Sequence, residues 1–176
     1  MSEAGEFQII EQFFTYPSFG AWKSQGVGDD CAIIDTGAGR LAVTCDMTAL
    51  GTHFFPDADP EDVGYKALAV NLSDLAAAGA VPRAFFLSIG LPRRDDGWLA
   101  DFSRGLMALA HESGCALLGG DTTRTPEIDG RHAPATISIT AMGDLPAGMG
   151  LTRSGAQPGD DIWVSGTVGD AYAALM

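Results

Sequence analysis

The stretch from Asp59 to Gly79 is marked as a helix at both ends, and it limits what the rest of the chain can build around it. Asp59 suits the N-cap, Pro60 the first helical position, Glu61 and Asp62 the positive end of the dipole, and Gly79 the stop. On either side the period changes. GVGDDCAII (26–34) is a glycine-punctuated approach to a strand, a turn follows at 37–39, and a second strand is expected at 41–44 with Asp46 directly after it. Beyond the helix, 84–91 reads as a buried strand. Asp95 then caps a helix whose core face carries Leu99, Phe102, Leu106 and Leu109, and Gly114 ends it. A short strand at 116–118 leads into GGDTTR, and after a polar excursion at 125–134 the run ATISITAMG (135–143) alternates apolar with small polar residues, as a half-exposed strand does.

Strands and helices are mixed without strict βαβα alternation, so an α+β fold is expected: a mixed sheet with helices on one face. Its other face must be covered, and a second copy of the chain is a reasonable cover. Before this unit, Phe7, Ile10, Phe13 and Phe14 recur at helical spacing and predict a packing helix that breaks at Pro17. After it, LTRSGAQPGD reads as a loop, DIWVSG (161–166) as a strand, and GTVGDAYAALM as a helix whose apolar pattern is unfinished at Met176.

The chain carries 10 Lys and Arg against 23 Asp and Glu, a formal net charge of -13, and only two lysines, Lys23 and Lys66. With no basic cluster it is not expected to bind nucleic acid. A phosphate-bearing ligand would be repelled unless divalent cations lay between. Three isolated cysteines, Cys31, Cys45 and Cys115, form no metal or disulfide spacing and suit a reducing cytoplasm. No apolar run reaches the ~18 residues of a membrane span, and no membrane partner is expected.

Four aspartates stand where apolar elements meet small residues: Asp30 in VGDDCA, Asp46 in TCDMT, Asp74 in NLSDLAAAG and Asp121 in GGDTT. Magnesium takes hard oxygen ligands and commonly borrows one or two carboxylates plus phosphate oxygens, so several such residues around a cleft could hold more than one ion. Taken singly, Asp30 and Asp46 are better explained as turn or solvated acidic residues. Asp74 is less easily set aside, because it lies near the negative end of its helix, in apolar company, with Asn71 one turn earlier on the same face; a buried pairing with an arginine is the plainer alternative. Asp121 follows two glycines, which would let a phosphate approach the main chain, or simply make a tight turn. Arg124 and Arg153 could each clamp a phosphate or form surface ion pairs. His53, beside aromatics, could meet a phosphate or merely pack. GAGRLA (37–42) leads into a strand rather than a helix and so fails as a dinucleotide fingerprint. No P-loop, protein-kinase, HExxH or GxSxG signature is present.

Taken together and in order, GEF, VGDDCA, YKALAVNLSDLAAAGA, GGDTTR and LTRSGAQPGD resemble the amino-terminal domain of thiamine-monophosphate kinases, within the wider aminoimidazole ribonucleotide synthetase-like superfamily. The resemblance covers the chain from Gly5 to Met176. It implies a sheet that dimerises into a barrel, with ATP and several magnesium ions near the interface and thiamine monophosphate as the second substrate. It implies Asp30, Thr44, Asp46, Asp74 and Asp121 as magnesium ligands, Gly120, Asp121 and Arg153 as ATP contacts, and His53 as a thiamine-phosphate contact. Cys45 stands at a further metal position where the family usually has threonine, and a thiol is a poor magnesium ligand. Residues 1–150 would then form the ATP- and magnesium-binding, dimerising domain, and 151–176 a linker, a strand and the start of a second domain. That second domain holds the thiamine-ring contacts, so this chain would be inactive alone. Another ATP-dependent enzyme of the same fold, or a non-catalytic nucleotide-binding module, remains open on this reading.

Overall fold

The computed structural model describes residues 6–14, 24–25, 29–146, 148–164 and 166–173. The expectations placed on Gly5, Pro17, Val27, Gly28, Ser165 and Met176, and on the side chain of Phe7, lie outside those residues.

The fold is a six-stranded mixed sheet in the order β1-β2-β3-β8-β4-β5, with two long helices on one face. β1 (Ser24–Gln25), β2 (Ala32–Asp35), β3 (Arg40–Ala49), β8 (Thr136–Leu145) and β4 (Val81–Leu91) pair antiparallel in that sequence. β5 (Ala116–Arg124) joins β4 in parallel at the edge. Between β5 and β8, β6 (Glu127–Ile128) and β7 (Arg131–His132) form a separate hairpin. Its two-residue turn, Asp129-Gly130, has both φ positive, the backbone such tight hairpins demand.

α2 (Pro60–Ala77) and α3 (Asp96–Ser113) end where the sequence places their caps. The Asp59 carboxylate accepts from Glu61 N, that of Asp95 accepts from Trp98 N, and Gly79 and Gly114 take the left-handed conformation just past the last turns. The helices cross so closely that a Cβ on Gly64 would fall on the Phe102 carbonyl, and one on Gly105 on that of Glu61. The core lies between them and the sheet: Leu68 and Leu75 of α2 and Phe102 and Leu106 of α3 pack over Ala42, Phe85, Ile137, Ile139 and Ala141. Of the expected α3 core face only Leu99 is half-buried rather than buried. β8 alternates as its sequence does, odd residues to Leu145 inward.

Four expectations are overturned. β3 does not stop at Thr44 but runs to Ala49, so Asp46 lies within the strand. β5 continues through Gly119 and Gly120 to Arg124 instead of turning at the glycines. Gly120 is needed because a Cβ there would strike the Leu87 carbonyl on β4, an interstrand demand that sequence alone does not reveal. Residues 161–164 form no strand, and Ile162 and Trp163 stand almost fully exposed. At the other end, α1 (Glu6–Ile9) passes into a π-helical turn over Ile10–Phe14, and Phe13 and Phe14 are exposed, so they do not pack on this core. The last helix is described only over Asp170–Ala173.

Candidate metal and nucleotide site

The expected site residues separate into two groups. Alternation along β3 turns Thr44 and Asp46 toward α2, and the last turn of α2 brings Asp74 to meet them. The Thr44 hydroxyl, 6% exposed, donates to Asp74 Oδ2 at 2.7 Å. Asn71, fully buried, holds the junction: its Oδ1 accepts from Asp46 N at 3.1 Å while its Nδ2 donates to Ala67 O. The Asn71 amide thus ties β3 at Asp46 to α2.

A loop completes this rim. Past β8 the chain returns along the end of α2: Leu151 N donates to Ala78 O at 3.0 Å, and Arg40 reaches Met149 O at 2.8 Å. Arg153 N then donates to Asp29 Oδ1 and its guanidinium to Asp30 Oδ1, both at 2.7 Å. The hydrogen bond from Arg153 holds the Asp30 carboxyl below the usual carboxylate range, and Arg153 is raised in return. Between the two acids, Cys31 is buried. Burial first, then the charges of Asp74 and Asp30, push its thiol up to about 12, so it stays protonated and donates to Asp74 O at 3.3 Å.

Cys45 and Asp121 are elsewhere. Cys45 points to the opposite sheet face, where Thr140 Oγ1 donates to its sulfur at 3.3 Å. Asp121 pairs with Ser88, which pairs with Ser138, so it shares that opposite face. Along one row of the sheet Asp46 pairs with Ile139, Ile139 with Leu87, and Leu87 with Gly120. Asp46 and Gly120 are therefore three strand spacings apart, about 14 Å. One ion, with oxygens at ~2.1 Å, cannot be held by Asp46 and Asp121 of the same chain. His53 lies in the exposed turn after β3. Its Nδ1 accepts from Ala49 N at 3.0 Å, which leaves the neutral ring's proton on Nε2, and Lys66 Nζ donates to its carbonyl at 2.7 Å.

Among the described residues no three His, Cys, Asp or Glu side chains form a ready-made cation cage. The rim nonetheless fits magnesium in chemistry: its donors are carboxylate and hydroxyl oxygens, and magnesium normally completes its shell with water and phosphate. Cys45 does not fit the rim, its sulfur being soft and facing away from Thr44, Asp46 and Asp74. Sequence reading did not single out Asp29 or Arg40; their contacts with the returning loop, to Arg153 N and to the Met149 carbonyl, join segments more than a hundred residues apart and leave no local signal.

A six-stranded mixed sheet with a parallel crossover, two long helices on one side and hard oxygen donors at the helix–sheet junction defines an α+β domain whose other sheet face is not covered by a helix among the described residues. The chain belongs to the family described as AIR synthase related protein, N-terminal domain, whose model matches residues 28–145. Over 173 residues it is 44% identical to the thiamine-monophosphate kinase of Salmonella typhimurium, covering 97% of this chain and 51% of that protein. The thiamine-monophosphate kinase of Haemophilus influenzae is 40% identical, with 97% and 50% covered. Among solved structures, AaThiL complexed with AMPPCP and TMP matches with a TM-score of 0.82 at 29% identity, over 99% of this chain and 52% of that one. The thiamine-monophosphate kinase of Stenotrophomonas maltophilia matches with 0.71 at 47%, over 85% and 45%. The chain thus spans about half the length of the relatives it matches.

Proposed function

We propose that this chain is the ATP- and magnesium-binding half of a thiamine-monophosphate kinase, which transfers the γ-phosphoryl group of ATP to the phosphate of thiamine monophosphate. The observation that carries the reading is the rim of Asp30, Thr44, Asp46 and Asp74, built into a chain that matches such kinases along 97% of its length. The attacking phosphate oxygen is already anionic at neutral pH, so the reaction needs alignment and charge neutralisation more than a strong base. Magnesium, when bound, supplies the positive charge that lets phosphates approach a chain of net charge -13. Asp30, Asp46 and Asp74 would hold it, and Thr44 orients the Asp74 carboxylate. In this reading Arg153, now on Asp30, shares its guanidinium with ATP, and the Nε2 proton of His53 is offered to the thiamine phosphate. Gly120 and Asp121 contact the nucleotide.

The functional unit in this reading is a homodimer made through the bare sheet face, where Met47 and Phe86 are 60% and 39% exposed. Two copies also resolve the separation of the ligands: Asp121 of one meets the Asp46 group of the other, which no single chain can arrange. A boundary near residue 150 suits a family match ending at 145 and the exposed stretch that follows. Free cysteines at 31, 45 and 115 suit the reducing cytoplasm.

The test is ATP turnover with and without thiamine monophosphate, using this chain extended to the length of its relatives. Turnover that appears only with thiamine monophosphate supports the reading. Magnesium-dependent ATP hydrolysis indifferent to it would assign the domain to a different ATP-dependent enzyme.

A further inference from the structure

We propose that the crevice at the carboxyl ends of β4 and β5 binds a phosphate group, with Arg124 as its principal cation and Arg93 beside it. β4, α3 and β5 form the one parallel crossover among the described residues, and ligands of such units collect outside the carboxyl ends of the strands. Here that crevice is lined by Arg93 and Arg94 from the β4–α3 loop and by Thr122, Thr123 and Arg124 from the end of β5. Three of the chain's 10 basic residues thus converge from two separate segments in a protein of net charge -13.

The arginines differ in what already occupies them. Arg94 forks onto Asp96, with Nε and Nη2 contacts of 2.6 and 3.2 Å, and is a structural pair. Arg93 lies 4.0 Å from Asp95, whose carboxylate is also engaged as the cap of α3. Arg124 has no carboxylate partner among the described residues. Its Nε leans on the Pro92 carbonyl at 3.4 Å, which ties the end of β5 to the loop bearing Arg93. A guanidinium so placed, in a crevice also lined by Thr122 and Thr123, matches the forked geometry with which arginine binds phosphate oxygens.

This crevice is separate from the acidic rim. Arg124 pairs with Leu91, four residues along β4 from the row that contains Asp46, and three strands away from it. The two Cα positions are on the order of 20 Å apart. The inference therefore stands whether or not the chain is a kinase half.

The probe is inorganic pyrophosphate, titrated calorimetrically into the purified protein at low ionic strength with EDTA present. We expect one site per chain, at least ten-fold weaker in Arg124→Ala, partly restored in Arg124→Lys, and unchanged in Asp74→Asn. Magnesium–ATP titrated into the same proteins identifies the source of the phosphate. A parallel loss in Arg124→Ala assigns the site to the nucleotide's phosphates, and unchanged ATP affinity assigns it to a free phosphate or diphosphate. Arg83, paired with Asp144 on another strand, is the charge control. An equal loss in Arg83→Ala, a loss in Asp74→Asn, or no pyrophosphate binding by the unsubstituted protein would overturn the proposal.

Discussion

Asp74 is the residue on which composition, helix position and packing converge. Its place in the last turn of α2 is unfavourable for a negative charge by roughly 0.3 to 1 kcal/mol, and its carboxylate accepts from the Thr44 hydroxyl. An asparagine can still accept from Thr44. Asp74→Asn should therefore unfold, without metal, within about 1 kcal/mol of the unsubstituted protein. Magnesium-dependent ATP binding, measured by calorimetry, should fall more than ten-fold. A strongly destabilised variant with unchanged nucleotide affinity would show the carboxylate to be structural. Asp30 gives a second residue-level expectation, this time in pH. Arg153 depresses its folded pKa below the unfolded value of about 3.9, so the pair stabilises the fold above that value and the contribution is lost as pH falls through the folded pKa. Both side chains are partly solvated, so solvent screening keeps that contribution small. In Arg153→Ala the Asp30 carboxyl should titrate higher by NMR in the metal-free protein; an unmoved titration would mean that the pair does not form in solution.

At the scale of elements, the crossing of α2 over α3 is set by two glycines. Gly105→Ala drives a methyl onto the Glu61 carbonyl and should destabilise by about 1 to 3 kcal/mol or more, read as a lower urea midpoint. Gly97→Ala, in the first turn of the same helix, meets only Asp95 Oδ1 at 3.6 Å and should be neutral or stabilising by up to ~1 kcal/mol. Similar losses at both positions would argue against the close crossing. These helices were legible because their caps are local: Asp59 and Asp95 bond backbone within three residues, and Gly79 and Gly114 need only their own φ. The strands were less so. Gly119 and Gly120 look like a turn, but the need for Gly120 comes from Leu87 on a neighbouring strand. The apolar residues of 161–164 look like a strand, but a strand requires a partner, and none is found among the described residues.

For the whole molecule, the proposed dimer makes the sharpest demand, because the site is complete only when two copies contribute. Neither Asp46→Asn nor Asp121→Asn should bind magnesium–ATP alone. Mixed after dissociation in equal amounts, half the dimers are heterodimers with one intact site, so about a quarter of sites should recover. No recovery, or a monomeric mass at micromolar concentration, would sink the shared site. The 176-residue chain should also show little turnover with thiamine monophosphate, since it spans about half of its relatives. A rate of ~1 to 100 per second, ordinary for a kinase, would contradict this.

The sequence by itself determined the α+β class, both long helices with their ends and the alternation of β8, and it singled out Asp74 as an acid out of place near its helix end. Each of these depends on residue type or on period within one segment. Only the tertiary structure decided that Thr44, Asp46 and Asp74 form one rim while Cys45 and Asp121 face the other way. It also decided that Asn71 ties β3 to α2 and that Arg93 and Arg124 share a crevice. Those outcomes depend on strand order and register, where a shift of one residue sends every side chain to the other face, and a register is set by contacts between segments far apart in the chain.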